Sequence, residues 1–201
     1  MFTFLLIFII FLIILNVTIR KNDSRQTKRE EDFWEQERAA NFARRKDISN
    51  LEYLTIPAEK IPHNLHTEAE EILVNLSNCK MLNLAGITNT ELKLTYGSAN
   101  LEELSEYDDN FTRFVQAVSA YGTELVEAGQ ASDARELLEL AVSYHADAVN
   151  IYTTLAKIYQ EVGETDKIQD LIRYASEFSD FLVILSISSI YMIPCCARSI
   201  S

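Results

Sequence analysis

The hydrophobic positions of this chain are distributed very unevenly. Residues 1–19 read MFTFLLIFIIFLIILNVTI and are apolar all round, with Thr3, Asn16 and Thr18 as the polar exceptions. The middle of the chain instead spaces its apolar residues three or four apart, as amphipathic helices do. Residues 181–197 are again uncharged. This pattern predicts an all-α fold, in which an N-terminal transmembrane helix precedes a body of helix–turn–helix units.

The first apolar run predicts a membrane anchor at residues 1–19. At about 1.5 Å per residue the run reaches nearly 30 Å, enough to cross a hydrocarbon core. No base precedes it and no pair of small residues marks a cleavage site, which favours a retained anchor over a signal peptide. Because Arg20, Lys21, Arg25, Lys28 and Arg29 all follow the run, the positive-inside rule predicts a single-pass protein with its body in the cytoplasm.

Residues 20–46 are predicted to form a charged juxtamembrane segment. Thr27 and Glu30 have the spacing of a capping box, and no Gly or Pro follows before Lys46, so we expect a helix over 27–46. Phe33, Trp34 and Phe42 would be its apolar contacts. Three partners are open for Trp34, namely lipid headgroups, another protein, or the body of this chain. Docking on the body is the preferred interpretation.

Residues 47–110 are predicted to be a helical and loop segment that packs on the rest of the body. Pro57 and Pro62 indicate a turn or a short connection. A second capping-box spacing, Thr67 to Glu70, opens a predicted helix over 67–84 whose inward residues are Ile72, Leu73, Leu76 and Leu82. Residues 85–100, rich in Gly, Asn, Thr and Ser, are predicted to be a loop with a short extended piece at Leu92–Tyr96.

Residues 111–182 contain an internal repeat. Residues 127–142 (EAGQASDARELLELAV) match 161–176 (EVGETDKIQDLIRYAS) after a shift of 34, so that Gly129 meets Gly163 and Ala141 meets Ala175. A period of 34 residues is that of the tetratricopeptide repeat, and the chain resembles this family over about 68 residues, in two units at 115–148 and 149–182. The signature positions are occupied by Val118, Tyr121, Gly122, Leu125, Gly129, Ala134, Leu138 and Ala141, and by Tyr152, Leu155, Ala156, Tyr159, Gly163, Ile168, Ile172 and Ala175.

Each small residue of the repeat has a physical role. Gly129 and Gly163 are expected to end the first helix of each unit in a left-handed conformation, and Gly122 and Ala156 to allow neighbouring helices to approach closely. The chain departs from the family pattern at Ile168, where the family has a small residue, and at Ala146 and Asp180, where it has Pro.

The resemblance also implies a binding surface, since the first helices of such arrays line a concave groove. We expect a protein or peptide partner to contact the groove residues Gln116, Ser119, Thr123, Asn150, Thr153, Lys157 and Gln160. This surface is polar with a single base, which argues against the form of the family that clamps an acidic carboxyl terminus. A solvated face without a ligand is the competing interpretation.

The tail, residues 183–201, is open to three interpretations. It is either a hydrophobic segment buried against the last unit, a second and short membrane span, or an altered reading frame, which the abrupt loss of acids after Asp180 suggests. The adjacent Cys195 and Cys196 are open to acylation at a membrane surface, but an incidental occurrence is the preferred interpretation.

Charge and composition exclude several function classes. Residues 47–180 carry 24 acids against eight bases, a net charge of −16, whereas residues 20–46 carry nine bases against six acids. Such an acidic body repels phosphate backbones, so no nucleic-acid partner is expected. The chain has no phosphate-binding loop or hydrolase motif, and we predict neither catalysis nor a cofactor.

His63 and His66 have zinc-like spacing, but no third ligand is fixed, so surface histidines are the preferred interpretation. Cys79 is expected to be a small core residue.

The sequence therefore predicts a membrane-anchored helical adaptor that binds a protein or peptide at the cytoplasmic face, without a metal or cofactor. The alternatives are an extracytoplasmic repeat protein of envelope assembly and a purely structural subunit of a membrane complex. The partner and the oligomeric state are left open.

Overall fold

The structure, a computed structural model, describes residues 2–178 and Ile187. Over these residues it is all-helical, which confirms the predicted all-α class, and no β-strand is present in them apart from an isolated bridge. The helices are α1 (Phe2–Asn41), α2 (Glu68–Leu76), α3 (Asn89–Tyr96), α4 (Leu101–Glu127), α5 (Ala131–Ser143), α6 (Val149–Val162) and α7 (Thr165–Phe178).

The chain divides into two compact units. The first comprises Met1–Asn50 and Gly86–Glu102, and the second comprises Leu51–Ala85 and Glu103–Ser201. The first therefore contains α1 and α3, and the second contains α2, nearly all of α4, and α5 to α7.

In the first unit, α1 is one continuous helix of 40 residues. The prediction that a helix begins at Thr27 and runs to Lys46 is wrong at both ends, because α1 passes through Thr27 and stops at Asn41. Extending a helix costs much less than nucleating a new one, and residues 20–26 contain no Gly or Pro to stop it. None of the helices, over the residues that the structure describes, is long and apolar enough to cross a membrane. The span at 1–19 remains a prediction from the sequence.

The prediction of a loop over 85–100 is also wrong, because α3 lies within it. Thr88 caps this helix: its side chain accepts from the backbone N–H of Glu91, and the Glu91 carboxylate accepts from the N–H of Thr88 (2.8 Å). α3 packs on the last turns of α1, where Glu37 pairs with Lys93 (3.2 Å) and accepts a hydrogen bond from Thr90. The spacing of Thr88 and Glu91 is that of a capping box, but the Gly, Asn and Ser residues around this pair favoured the prediction of a loop.

The link after α1 is held by Gly97 and Asn100. The side chain of Asn100 is fully buried; its amide nitrogen donates to the carbonyls of Lys46 and Tyr96 (both 2.7 Å), and its oxygen accepts from Arg45 Nε (2.7 Å). Gly97 has a φ of +94°, and the backbone of Arg44 passes directly beside its α-carbon. A side chain at position 97 would overlap the backbone of Arg44.

In the second unit, α2 is shorter than predicted and ends at Leu76 rather than near Leu84. Thr67 caps its first turn as expected, and its buried residues include Leu73 and Leu76. Beyond Leu76, Met81 exchanges two backbone hydrogen bonds with Leu54 (2.9 and 3.0 Å). Because the N–H and C=O groups of Met81 bond to Leu54, they cannot also form the hydrogen bonds of a longer α2.

The helices α4 to α7 form two successive hairpins. The turn after α4 contains Gly129 (φ +78°) and the turn after α6 contains Gly163 (φ +83°), both left-handed as the sequence predicts. In the first turn, Gln130 N donates to Leu125 O (2.8 Å); in the second, Glu164 N donates to Tyr159 O (2.9 Å). Both hairpins thus end their first helix with the same Schellman-type bond, 34 residues apart.

A single apolar core runs through the second unit, from Ile56 to Ala175. Gly122 lies against Leu138: a Cβ at position 122 would come within 2.8 Å of Leu138 Cδ2, which confirms the close approach predicted there. Most of the predicted tail lies outside the described residues. Its one described residue, Ile187, is fully buried in this core, which favours the interpretation of a buried tail.

Candidate functional site

The seven predicted partner-binding residues lie on two helices of the second unit. Gln116, Ser119 and Thr123 are spaced along α4, and Asn150, Thr153, Lys157 and Gln160 are spaced along α6. Ser119 and Thr153 are half-buried and the other five are exposed. On each helix the spacing of three or four residues places the set on one face.

Two of these hydroxyl groups are engaged by their own helix. Thr123 Oγ1 donates to the carbonyl of Ser119 (3.0 Å), and Thr153 Oγ1 donates to the carbonyl of Asn150 (3.2 Å). Their oxygens can still accept hydrogen bonds, whereas the amide groups of Gln116 and Asn150 can both donate and accept. The two rows can therefore offer hydrogen bonds to a backbone or a polar side chain.

Gln116 also belongs to a cavity that could not be predicted from the sequence. This cavity of about 330 Å³ lies between α2 and α4. The two helices run antiparallel, since Thr67 Oγ1 donates to Glu124 Oε2 (2.7 Å) at one end, and Asn110 Nδ2 donates to Lys80 O (3.3 Å) just beyond the other. The lining residues are Glu68, Ala69, Ile72, Arg113, Gln116, Ala117, Ala120 and Glu124.

A buried carboxylate, Glu70, organises the loop that leads into α2. Only 5% of Glu70 is exposed, and its Oε2 accepts from the backbone N–H groups of Leu65 (3.0 Å) and His66 (2.8 Å). The Tyr121 hydroxyl on α4 lies 3.0 Å from the same oxygen and 2.5 Å from Pro62 O. The expected capping box at Thr67 is therefore only half formed, because the Glu70 side chain turns to the loop rather than to the N–H of Thr67.

This network shifts the pKa values of both of its members. Burial alone would raise the pKa of Glu70, but the backbone N–H groups of His66 and Leu65 and the Tyr121 hydroxyl outweigh it and hold the pKa below its usual range. For Tyr121, burial and then the hydrogen bond to the Glu70 carboxylate raise the pKa to about 12. Glu70 is thus ionised and Tyr121 is neutral at neutral pH, which suits a structural role for the pair.

A second polar network joins the two hairpins. Arg135 on α5 forms a bidentate pair with Glu164 in the turn before α7 (3.1 and 3.0 Å), and its Nε donates to Glu139 Oε1 (2.9 Å). Tyr159 on α6 also donates to Glu139 (2.9 Å), and Lys167 lies 3.3 Å from Glu164. The hydrogen bond from Arg135 contributes most to lowering the pKa of the Glu164 carboxyl. This network binds α5, α6 and α7 together and belongs to the fold.

The histidine pair does not form a metal site with its neighbours. Among the residues that the structure describes, no three His, Cys, Asp or Glu side chains are placed to hold a metal ion. His63 Nδ1 lies 3.5 Å from Glu70 Oε1, and His66 adopts a left-handed conformation (φ +54°) in which its backbone, rather than its ring, meets Glu70. Cys79, predicted to be a core residue, is only half-buried and packs at the edge of the core.

Trp34, for which docking on the body is predicted, is largely exposed within the first unit. It is 62% exposed, and its ring meets Phe33 edge to face with centroids 5.4 Å apart. Phe42, just after α1, is 88% exposed. The amphipathic pattern over 27–46 was too weak to identify a buried face, because charged residues surround these aromatic side chains.

Comparison of the chain with protein-family models, with curated proteins and with solved structures finds no match. The resemblance to tetratricopeptide repeats therefore rests on the residues of this chain alone.

Proposed function

We propose that this chain is a membrane-anchored helical-repeat adaptor, which binds a protein or peptide partner at the cytoplasmic face of a membrane and performs no catalysis. The observation that carries the proposal is the repetition of the helical hairpin. The bonds that end α4 and α6, Gln130 to Leu125 and Glu164 to Tyr159, are offset by 34 residues, which is the period of the tetratricopeptide repeat.

Packing supports the same proposal. Gly122 meets Leu138, and the small residues Ala141, Ala156 and Ala175 are fully buried. Repeats of this kind bury a continuous core by stacking, and they leave the first helix of each hairpin free to contact a ligand. The exposed polar residues of α4 and α6 are suited to that contact.

The distribution of charge supports a role at a membrane. Bases are concentrated directly after the apolar run at 1–19, and acids dominate from Asp47 onward. A flank of this kind favours a cytoplasmic body and adds attraction to anionic headgroups. The proposed role is to concentrate a partner near the membrane surface.

The decisive test is crosslinking of the full-length protein in native membranes, with mass-spectrometric identification of captured proteins. The parent is compared with a variant that carries Asn150→Ala, Thr153→Ala and Lys157→Ala. The matched control carries the same three types of change at exposed sites away from α4 and α6, namely Asn78→Ala, Thr95→Ala and Lys60→Ala. Circular dichroism establishes that all three proteins are folded.

We expect one or more proteins to be captured by the parent and the control and lost by the α6 variant. Equal capture by all three proteins would contradict a binding groove on α6. The alternative of a structural subunit would then be favoured, with its contacts elsewhere on the chain.

A further inference from the structure

The cavity between α2 and α4 is a slot with a floor of small residues. Ala69 of α2 and Ala117 of α4 are buried at its base, and Ala120 is exposed along its length. Ile72 is half-buried and extends the apolar wall. Because alanine has no side chain beyond Cβ, such a floor lets the ridge of another helix approach both backbones closely.

The two ends of the slot carry opposite charges. Since α2 and α4 are antiparallel, Glu68 at the start of α2 lies at the same end as Glu124 of α4. Arg113, also exposed, lies at the opposite end. Eleven residues separate Arg113 from Glu124, which corresponds to about 16 Å along the helix axis. Gln116 contributes an amide group between them.

We propose that this slot binds an amphipathic helix of the partner protein. That helix would present small or aliphatic side chains to the alanine floor, a Lys or Arg to Glu68 and Glu124, and an Asp or Glu about three turns away to Arg113. Helix-in-groove recognition of this kind reads residues spaced three, four and seven apart, and matched charges at its ends set its direction. The inference rests on the proposed adaptor function, since it describes the partner, and Gln116 belongs to both surfaces.

The probe is a synthetic helical peptide, acetylated and amidated, made of alanine and leucine with a lysine near one end and a glutamate eleven positions later. A control peptide of otherwise identical sequence has lysine at both of these positions. Binding to the full-length protein in detergent micelles is measured by fluorescence anisotropy. The protein variants are Ala120→Leu, which fills the slot, and Arg113→Glu, which gives both ends the same charge.

We expect the lysine–glutamate peptide to bind the parent, and Ala120→Leu to weaken it at least about tenfold, the change that 1.4 kcal/mol represents. Arg113→Glu should exchange the preference, so that the lysine–lysine peptide binds better than the lysine–glutamate peptide. Ala58→Leu and Arg173→Glu are the matched controls, because both residues are exposed and lie outside the slot. Neither control should change binding, and thermal unfolding should show that every variant is folded.

Three results would overturn the inference. The first is peptide binding that follows net charge alone, with no effect of Ala120→Leu. The second is the absence of binding by either peptide. The third is self-association of the chain that Ala120→Leu abolishes, which would assign the slot to a second copy. The proposed adaptor function is tested separately, because the crosslinking experiment changes only residues of α6 and its outcome does not require that the slot binds a helix.

Discussion

Position 97 requires glycine for two independent reasons. Its backbone conformation, φ +94° and ψ +144°, lies in a region that L residues avoid. The backbone of Arg44 also lies where a Cβ would project. By contrast, Gly86 has a similar φ of +81° but nothing within 4 Å of its would-be Cβ. Substitutions at Gly86 therefore report the cost of backbone strain alone, whereas substitutions at Gly97 report backbone strain and steric overlap together.

We predict that Gly97→Ala lowers the free energy of unfolding by about 3 kcal/mol or more, and that Gly86→Ala lowers it by about 1 kcal/mol. The larger effect arises because Arg44 must move away from the new methyl group. Urea titration monitored by circular dichroism measures both changes. Equal losses for the two variants would show that the overlap at Arg44 is relieved without cost.

Glu70 makes stability depend on pH. Its pKa is lower in the folded chain than its usual value near 4.3. The stabilisation from its ionised form is therefore complete above that usual value, and it is lost as the pH falls through the lower pKa of the folded state. His63, Leu65, His66 and Tyr121 are the neighbours that lose their charged partner when Glu70 is protonated.

We predict that Glu70→Gln destabilises the chain at pH 7 by about 1–3 kcal/mol, because the loop N–H groups then face a neutral amide. The gap between parent and variant should narrow as the pH is lowered below about 4.3. Thermal unfolding over this pH range measures it, with the exposed neighbour change Glu71→Gln as the control. A gap that stays constant with pH would contradict a role for the charge of Glu70.

At the scale of elements, ionic contacts differ greatly in what they contribute. The bidentate pair between Arg135 and Glu164 joins two hairpins, and its side chains are only 23% and 32% exposed. The pair between Arg173 and Asp170 lies within α7 and is 74% and 64% exposed. Solvent screens the second pair strongly, whereas the first holds a fixed, two-bond geometry.

We predict that the coupling free energy between Arg135 and Glu164 is clearly larger than that between Arg173 and Asp170, because the first pair is less exposed and bidentate. Double-mutant cycles with Arg→Met, Glu→Gln and Asp→Asn changes measure both values by chemical denaturation. Similar coupling free energies for the two pairs would mean that the position of the Arg135–Glu164 pair between two hairpins does not strengthen it.

The boundaries of elements show what local sequence can and cannot predict. Gly129 and Gly163 were sufficient to locate two helix ends, because a left-handed conformation is a local requirement. The Thr88–Glu91 capping box was also local, but it was hidden in a stretch with a loop-like composition. The end of α2 was not predictable, since it depends on the bridge from Met81 to the distant Leu54.

The candidate surfaces follow the same division. Residues such as Asn150 and Lys157 could be selected from their place in a repeat, and the structure finds both exposed. The slot between α2 and α4 could not, because it combines Glu68 with Glu124, which are 56 residues apart in sequence. The turning of Glu70 away from Thr67 is likewise a tertiary effect, since Tyr121 and the loop after Pro62 compete for its carboxylate.

At the scale of the whole molecule, Cys79 offers a test of the predicted topology. It is half-buried, and the other two cysteines, Cys195 and Cys196, can be changed to serine. In this single-cysteine protein, we predict that a membrane-impermeant maleimide labels Cys79 in inverted vesicles but not in intact cells. Labelling from the outer side would support the extracytoplasmic alternative.

A companion truncation tests the anchor. Without residues 1–19, the protein should move from the carbonate-resistant membrane fraction to the supernatant, since the apolar run supplies the proposed attachment. Retention of the truncated protein in the membrane fraction would show that another segment anchors it.

The continuity of α1 has a consequence for electrostatics near a bilayer. Counted from Ile19 at about 1.5 Å per residue, the backbone positions of Arg20 to Arg29 lie within about 15 Å, whereas the acidic run that begins at Glu30 starts at about 16 Å. The Debye length at physiological salt is about 8 Å. If residues 1–19 lie in a membrane, the continuous helix grades its charges by distance: Arg20 and Lys21 lie well within one Debye length of the headgroups and Arg25 about one Debye length away. Lys28, Arg29 and the acids from Glu30 onward lie farther out, where salt screens them. Lowering the ionic strength would lengthen that range and bring those acids within reach of the surface potential, so this stretch of helix would act as a salt-dependent spacer.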